Sequence, residues 1–140
     1  MEKRRYAGQN RSTAEKDLIV LSSNLTQTIK INNKNLIVEV AETLQQKMIG
    51  LKKRKFLKEN HGMLFIYNIP QKLDFWMEDT FISLDIAYID QNKKIKEIYS
   101  LKPLDIKIVS SKAEDLCYAL ETNQGWFSKN DIHIGDQLYF

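Results

Sequence analysis

The chain has 140 residues, 43% apolar and 28% charged, with a formal net charge of +3 and a single cysteine. That length is one domain, large enough to build a core without a metal or disulfide, and one cysteine excludes an internal disulfide. No run approaches the ~18 apolar residues that read as a spanning helix, and His61, His133 and Cys117 show no metal-ligand spacing.

Residues 1–24 are polar and without period, and read as a flexible tail ahead of one globular domain over 25–140. Within the tail, "DLIVLSS" at 17–23 reads as an edge strand that docks on the domain. Residues 1–17 hold five basic and three acidic side chains, so the rest of the chain is close to neutral. A nucleic-acid-binding domain normally shows a basic face, so no nucleic-acid partner is expected. The charged start is followed by no apolar core and is not a secretory signal as it stands. The chain therefore reads as cytoplasmic, unless a leader has been removed.

"QTIKI" and "NLIVEVAE" alternate apolar and polar residues around an Asn-rich turn, which predicts a hairpin. In its second strand Leu36, Val38 and Val40 share one face. From Thr43 the period changes: Leu44, Lys47, Met48 and Leu51 fall at helical spacings, with Thr43 as N-cap and Gly50 near the end. A basic loop follows; its cluster of Lys47, Lys52, Lys53, Arg54, Lys55 and Lys58 is read as a solvated helix end or, second, as a weak anion site. "MLFIY" reads as a buried strand and "LDFWM" as another. Residues 81–90 and "IKEIYSL" form the clearest hairpin, stopped by Pro103. "CYALET" is a further strand, "GWFSKND" a short helix, and "HIGDQLYF" a turn and a last strand. The fold class is α+β, mainly β: an antiparallel, barrel-like sheet of seven or eight strands with two short helices.

The segment "VEVAET…IGLKKRKFL…HGMLFIY" followed by "FWMEDTFISLDIAYID" resembles domain-of-unknown-function family 192, a small family of bacteria and archaea. The resemblance rests on Glu39, Ala41, Thr43, Gly50, Leu51, Arg54, Gly62–Phe65 and Pro70, then on Phe75-Trp76-Met77, Thr80, Ile82 and Leu84-Asp85-Ile86. Leu120-Glu121, Asn123, Gly125 and Gly135-Asp136 extend it to the end of the chain. Glu78-Asp79 stands where the family has Lys-Asn, Ser83 where a Pro often precedes Leu-Asp, and Lys52 where a Met often follows Gly-Leu. The resemblance implies a compact β-rich fold and no activity. Many members of the family carry export signals, which are not seen here.

Asp85 is the polar residue that asks for an explanation. Along a strand over 81–90, Ile82, Leu84, Ile86 and Tyr88 share the core face, and Asp85 lies on the other between the small Ser83 and Ala87. A buried carboxylate needs a partner. Arg54 is the nominee, because it alone of the basic loop matches the family pattern and a guanidinium fits a carboxylate with two parallel hydrogen bonds. Either that pair, or Asp85 with backbone amides, pins the loop to the sheet, or Asp85 and Arg54 line a ligand pocket with Trp76 as its wall. Thr80 caps the turn before the strand or donates to the ligand. Asp79 meets Asp85 only if the turn folds back. Cys117 reads as a core residue, the two histidines as surface residues, and Glu121 and Asn123 as turn caps or as part of the same pocket.

The expected function is a binding or accessory module for a small polar ligand or a protein partner, contacted by Arg54, Trp76, Asp79, Thr80 and Asp85, with no cofactor and no metal. The alternative is a hydrolase using Asp85 with a second carboxylate, although the sequence supplies no nucleophile, metal or oxyanion donors for it. The third reading is a purely structural domain.

Overall fold

The computed structural model describes residues 24–140; the expectations for the tail and for 17–23 lie outside the described residues. Thr26–Ile31 (β1) and Lys34–Ala41 (β2) pair antiparallel as the expected hairpin. Its turn residues, Asn32 and Asn33, both take left-handed φ (49° and 65°), the conformation a two-residue hairpin demands and asparagine tolerates. Helix α1, Leu44–Ile49, begins with a reciprocal cap: the Gln46 amide donates to Thr43 Oγ1, and Gln46 Oε1 accepts from the Thr43 amide. Gly50 closes it with φ 50°.

The next strand, His61–Gln71 (β3), departs from the expected topology. It pairs parallel to β2, so the sheet is mixed rather than purely antiparallel. The helix and the loop after it return the chain to the end where β2 began, as a parallel pair requires. β3 runs through Pro70 where its pairing with β8 shifts register between Ile66 and Gln71, a position that tolerates proline. "LDFWM" forms only the two-residue strand Asp74–Phe75 (β4), which leaves the main sheet and pairs with Val109–Ser110 (β7).

Leu84–Asp90 (β5) and Ile95–Leu101 (β6) form the second hairpin, and Leu116–Asn123 (β8) is inserted between β3 and β5. After the single turn α2, Trp126–Lys129, the chain ends in Leu138–Tyr139 (β9) on the free edge of β1. The seven-stranded order is β6-β5-β8-β3-β2-β1-β9. The sheet curls into a half-barrel, because residues 135–138 also bond the β5–β6 hairpin: Ile95 N donates to Asp136 O at 2.9 Å and Gly135 N to Ile95 O at 2.8 Å.

The sheet carries a core on each face. One face packs Met63, Phe65, Ile86 and Tyr88 against Leu73, Phe75 and Met77 of the β4 segment. Phe65, Phe75, Tyr88 and Tyr99 form a chain of ring contacts across it, and the Tyr88 hydroxyl donates to Val109 O at 2.5 Å. The concave counterpart packs Ile29, Leu36, Leu64, Ala87 and Leu120 against Trp126 and Phe127 of α2.

Candidate functional site

Strand register decides which side chains can meet. Thr26, Glu39, Met63, Glu121, Ile86 and Tyr99 stand abreast across five pairings, so they share the face of the Phe65–Tyr88 core. The adjacent row is Val38, Gly62, Thr122, Asp85 and Ser100, and it faces the other way.

Asp85 is buried, the condition under which it needs a partner, but Arg54 is not that partner. Its Oδ1 accepts from the Ser100 hydroxyl and its Oδ2 from the Gly125 amide, both at 2.8 Å. The carboxylate thus fastens the turn into α2 to the start of β5, the anchoring by a backbone amide that the sequence left open. Arg54 instead forks onto Glu39, with Nη1 to Oε2 at 2.5 Å and Nη2 to Oε1 at 2.8 Å. The pairing with Asp85 fails for a geometric reason: Glu39 and Asp85 lie in neighbouring rows on opposite faces of the sheet.

The Arg54–Glu39 pair lies in a groove of about 710 Å³. Thr26, Ile37, Glu39 and His61 form its floor, at the outer end of the β1-β2-β3 surface. Thr43, Gln46 and Ile49 of the helix segment and Lys52, Lys53 and Arg54 of the following loop form its wall. Its lining residues thus include three basic residues, of which Lys52 is buried and Arg54 pairs with the single carboxylate, Glu39. His61, read from sequence as a surface residue, is half-buried on this floor, with Nδ1 3.0 Å from Glu59 O.

Of the expected contacts, the groove takes Arg54 alone. Trp76 is half-buried between Phe75 and Met77. Asp79 sits at left-handed φ (55°), and its carbonyl accepts from Lys53 N at 2.8 Å. Thr80 is buried and caps its own turn, its hydroxyl donating to Glu78 O at 3.1 Å. Glu121 is fully buried on the aromatic-core face. Burial, and then the charges of Glu121, Tyr67, Asp74 and Glu97, push the Tyr88 phenol well above its usual range. Cys117 is buried, and burial, then Asp90 and Asp115, push its thiol up, the setting of an inert thiol. Among the described residues no group of three His, Cys, Asp or Glu side chains is placed to hold a metal, and no helix is long and apolar enough to cross a membrane.

Glu39 is the groove residue not expected as a contact, whereas Lys52, Lys53 and Arg54 belong to the basic cluster whose second reading was a weak anion site. The signal for Glu39 was present: with Leu36 and Val38 on one face of "NLIVEVA", Glu39 had to project from the other, toward the helix that follows. Lys53 has a left-handed φ of 63°, and its amide donates to Asp79 O at 2.8 Å.

The family model for domain-of-unknown-function family 192, described as "Uncharacterized ACR", matches residues 27–140. The chain belongs to this family. The match covers the sheet from the second residue of β1 onward, Glu39 and Arg54 of the groove, and the Phe75–Ile86 block that carried the resemblance. A solved structure from Sinorhizobium meliloti 1021, described as a "putative transcription regulator", is similar at 27% identity and a TM-score of 0.81, covering 84% of this chain and 95% of that one. A protein of unknown function from Novosphingobium aromaticivorans DSM 12444 shares the fold at 23% identity and a TM-score of 0.76, covering 94% and 100%. No curated protein matches the chain.

Proposed function

We propose that this member of family 192 is a binding module that takes a small anionic ligand in the groove between α1 and the β1-β2-β3 surface. The supporting observation is the lining: Lys52, Lys53 and Arg54 against the single acid Glu39, in a concave site of about 710 Å³, a size typical of small-molecule sites. In this reading Arg54 is held ready by Glu39, which orients the guanidinium and leaves its remaining N–H donors for the ligand. Asp85, Thr80, Asp79 and Trp76 act outside the groove, as supports of the turns around it.

The description of the Sinorhizobium meliloti neighbour raises DNA as a partner. The charge of this chain favours the small ligand: residues 18–140 hold 16 basic and 15 acidic side chains, whereas DNA binding draws most of its affinity from neutralised phosphates.

Titration calorimetry with inorganic phosphate, citrate and oxalate tests the reading. At least one anion is expected to bind saturably to the wild type, to raise the unfolding free energy by about 2.7 kcal/mol at a hundred times its Kd, and to lose this in Arg54→Ala. Absence of binding by all three, or binding that Arg54→Ala leaves intact, overturns it. Salt-sensitive retention of duplex DNA by the wild type would move the function to nucleic acid.

A further inference from the structure

One end of the sheet holds exposed apolar residues that the groove does not explain. Leu84, at the start of β5, pairs with Leu101 at the end of β6 and with Asn123 at the end of β8. The segments beyond these ends are joined by backbone bonds: Leu104 N donates to Thr80 O at 3.0 Å, Met77 N to Asp105 O at 2.9 Å, and Lys53 N to Asp79 O at 2.8 Å. The Asn123 side chain ties Leu57 O to the same end. On these joined loops Phe56 is 75% exposed, Ile106 64%, Leu104 56% and Phe81 50%.

Leu104 is the most informative of the four. Its φ is 64°, a conformation that a bulky L-residue adopts only at a cost. Burial does not compensate, because the side chain stands in solvent. A large apolar residue kept in a strained turn and presented outward points to a partner outside the chain.

The charges at this end identify the partner. Lys53, Lys55, Lys102 and Lys107 are exposed between and beside the apolar tips. The acids here, Glu78, Asp79 and Asp105, are each half-buried, with a Glu78 carboxylate oxygen buried and Asp105 accepting from the Lys107 amide, so four exposed lysines outnumber three half-buried acids. We infer that this end docks on an anionic phospholipid surface, with Phe56, Phe81, Leu104 and Ile106 entering the interface and the lysines meeting the headgroups. Apolar residues on separate tips suit a fluid interface, and basic side chains near it add attraction to anionic lipid. The same lysines oppose a second copy placed face to face, since like charges would meet.

The test is flotation of the full chain with mixed phosphatidylserine–phosphatidylcholine vesicles against phosphatidylcholine alone, for the wild type and for Phe81→Ser combined with Leu104→Asn. Asparagine accepts the left-handed backbone better than leucine, so this variant is expected to unfold no earlier than Phe81→Ser by itself. The wild type is expected to float with phosphatidylserine vesicles only and to be released by salt, and the variant to partition about tenfold more weakly or worse. No flotation of the wild type, equal flotation with both vesicles, or retention by the variant overturns the inference. The last outcome would assign lipid binding elsewhere, for example to the basic residues of 1–17. A wild-type dimer in solution that the variant converts to monomer would also overturn it, by making a second copy the occupant.

Discussion

Asp85 shows how far a single residue can be read. Its face followed from alternation along 81–90, and its need for a partner followed on the condition that it is buried. Its partners did not, because Ser100 arrives on the neighbouring strand and Gly125 from a turn 40 positions away. Arg54 was the nominee because it alone of the basic loop matches the family pattern and a guanidinium fits a carboxylate, and only strand register shows that its partner Glu39 stands on the opposite face. Asparagine at this position keeps the shape but brings an amide N–H₂ where one of the two donors now points. Asp85→Asn is therefore expected to cost about 1–2 kcal/mol, a drop of several degrees in thermal midpoint at neutral pH for a domain of this size. A midpoint equal to that of the wild type would show that the carboxylate is no fastening for α2, and would return Asp85 to the list of functional residues.

At the scale of elements, the hairpins were legible because each is encoded by its own turn and its own alternation. The β2–α1–β3 unit was legible in its parts but not in its direction. Thr43, Gln46 and Gly50 mark both ends of the helix, yet nothing local states that the following strand will lie parallel to β2. Gly62 marks how closely β3 approaches its other neighbour, β8. It sits in β3 between β2 and β8, where a Cβ would come within 2.5 Å of the Glu121 carbonyl oxygen. That oxygen belongs to the backbone of a central strand and cannot swing away. Gly62→Ala is expected to destabilise the domain by about 1–3 kcal/mol, read as a lower urea midpoint. An unchanged midpoint would mean that β3 and β8 can separate at little cost. β4 and β7 were the least legible elements, since two residues carry no period and their pairing depends on the whole chain between them.

For the whole molecule, closure depends on side chains as well as on the ladder. Glu97 on β6 accepts from the Tyr99 hydroxyl and from the Lys112 and Ala113 amides, which fastens the outer strand to the connection before β8. Burial would raise its pKa, but those hydrogen bonds outweigh it and hold Glu97 below its ordinary 4.5. A carboxylate depressed in the folded state contributes stability that is complete above the unfolded value and is lost as pH falls through the folded one. The difference in thermal midpoint between wild type and Glu97→Gln is thus expected to be largest near neutrality and to shrink as pH is taken below 4.5. A difference that does not change with pH would detach Glu97 from the acid response. By itself the sequence determined what depends on neighbours along the chain: the Asn32-Asn33 turn, the capped helix, the alternation that buries Leu36, Leu84 and Ile86, and membership of the family. Tertiary structure alone decided what depends on distant segments meeting: the parallel crossover, Glu39 rather than Asp85 for Arg54, the groove, and the gathering of Phe81 and Leu104 at one end. Backbone preferences and side-chain period act over a few residues, whereas register and facing are set only when strands far apart in sequence pair.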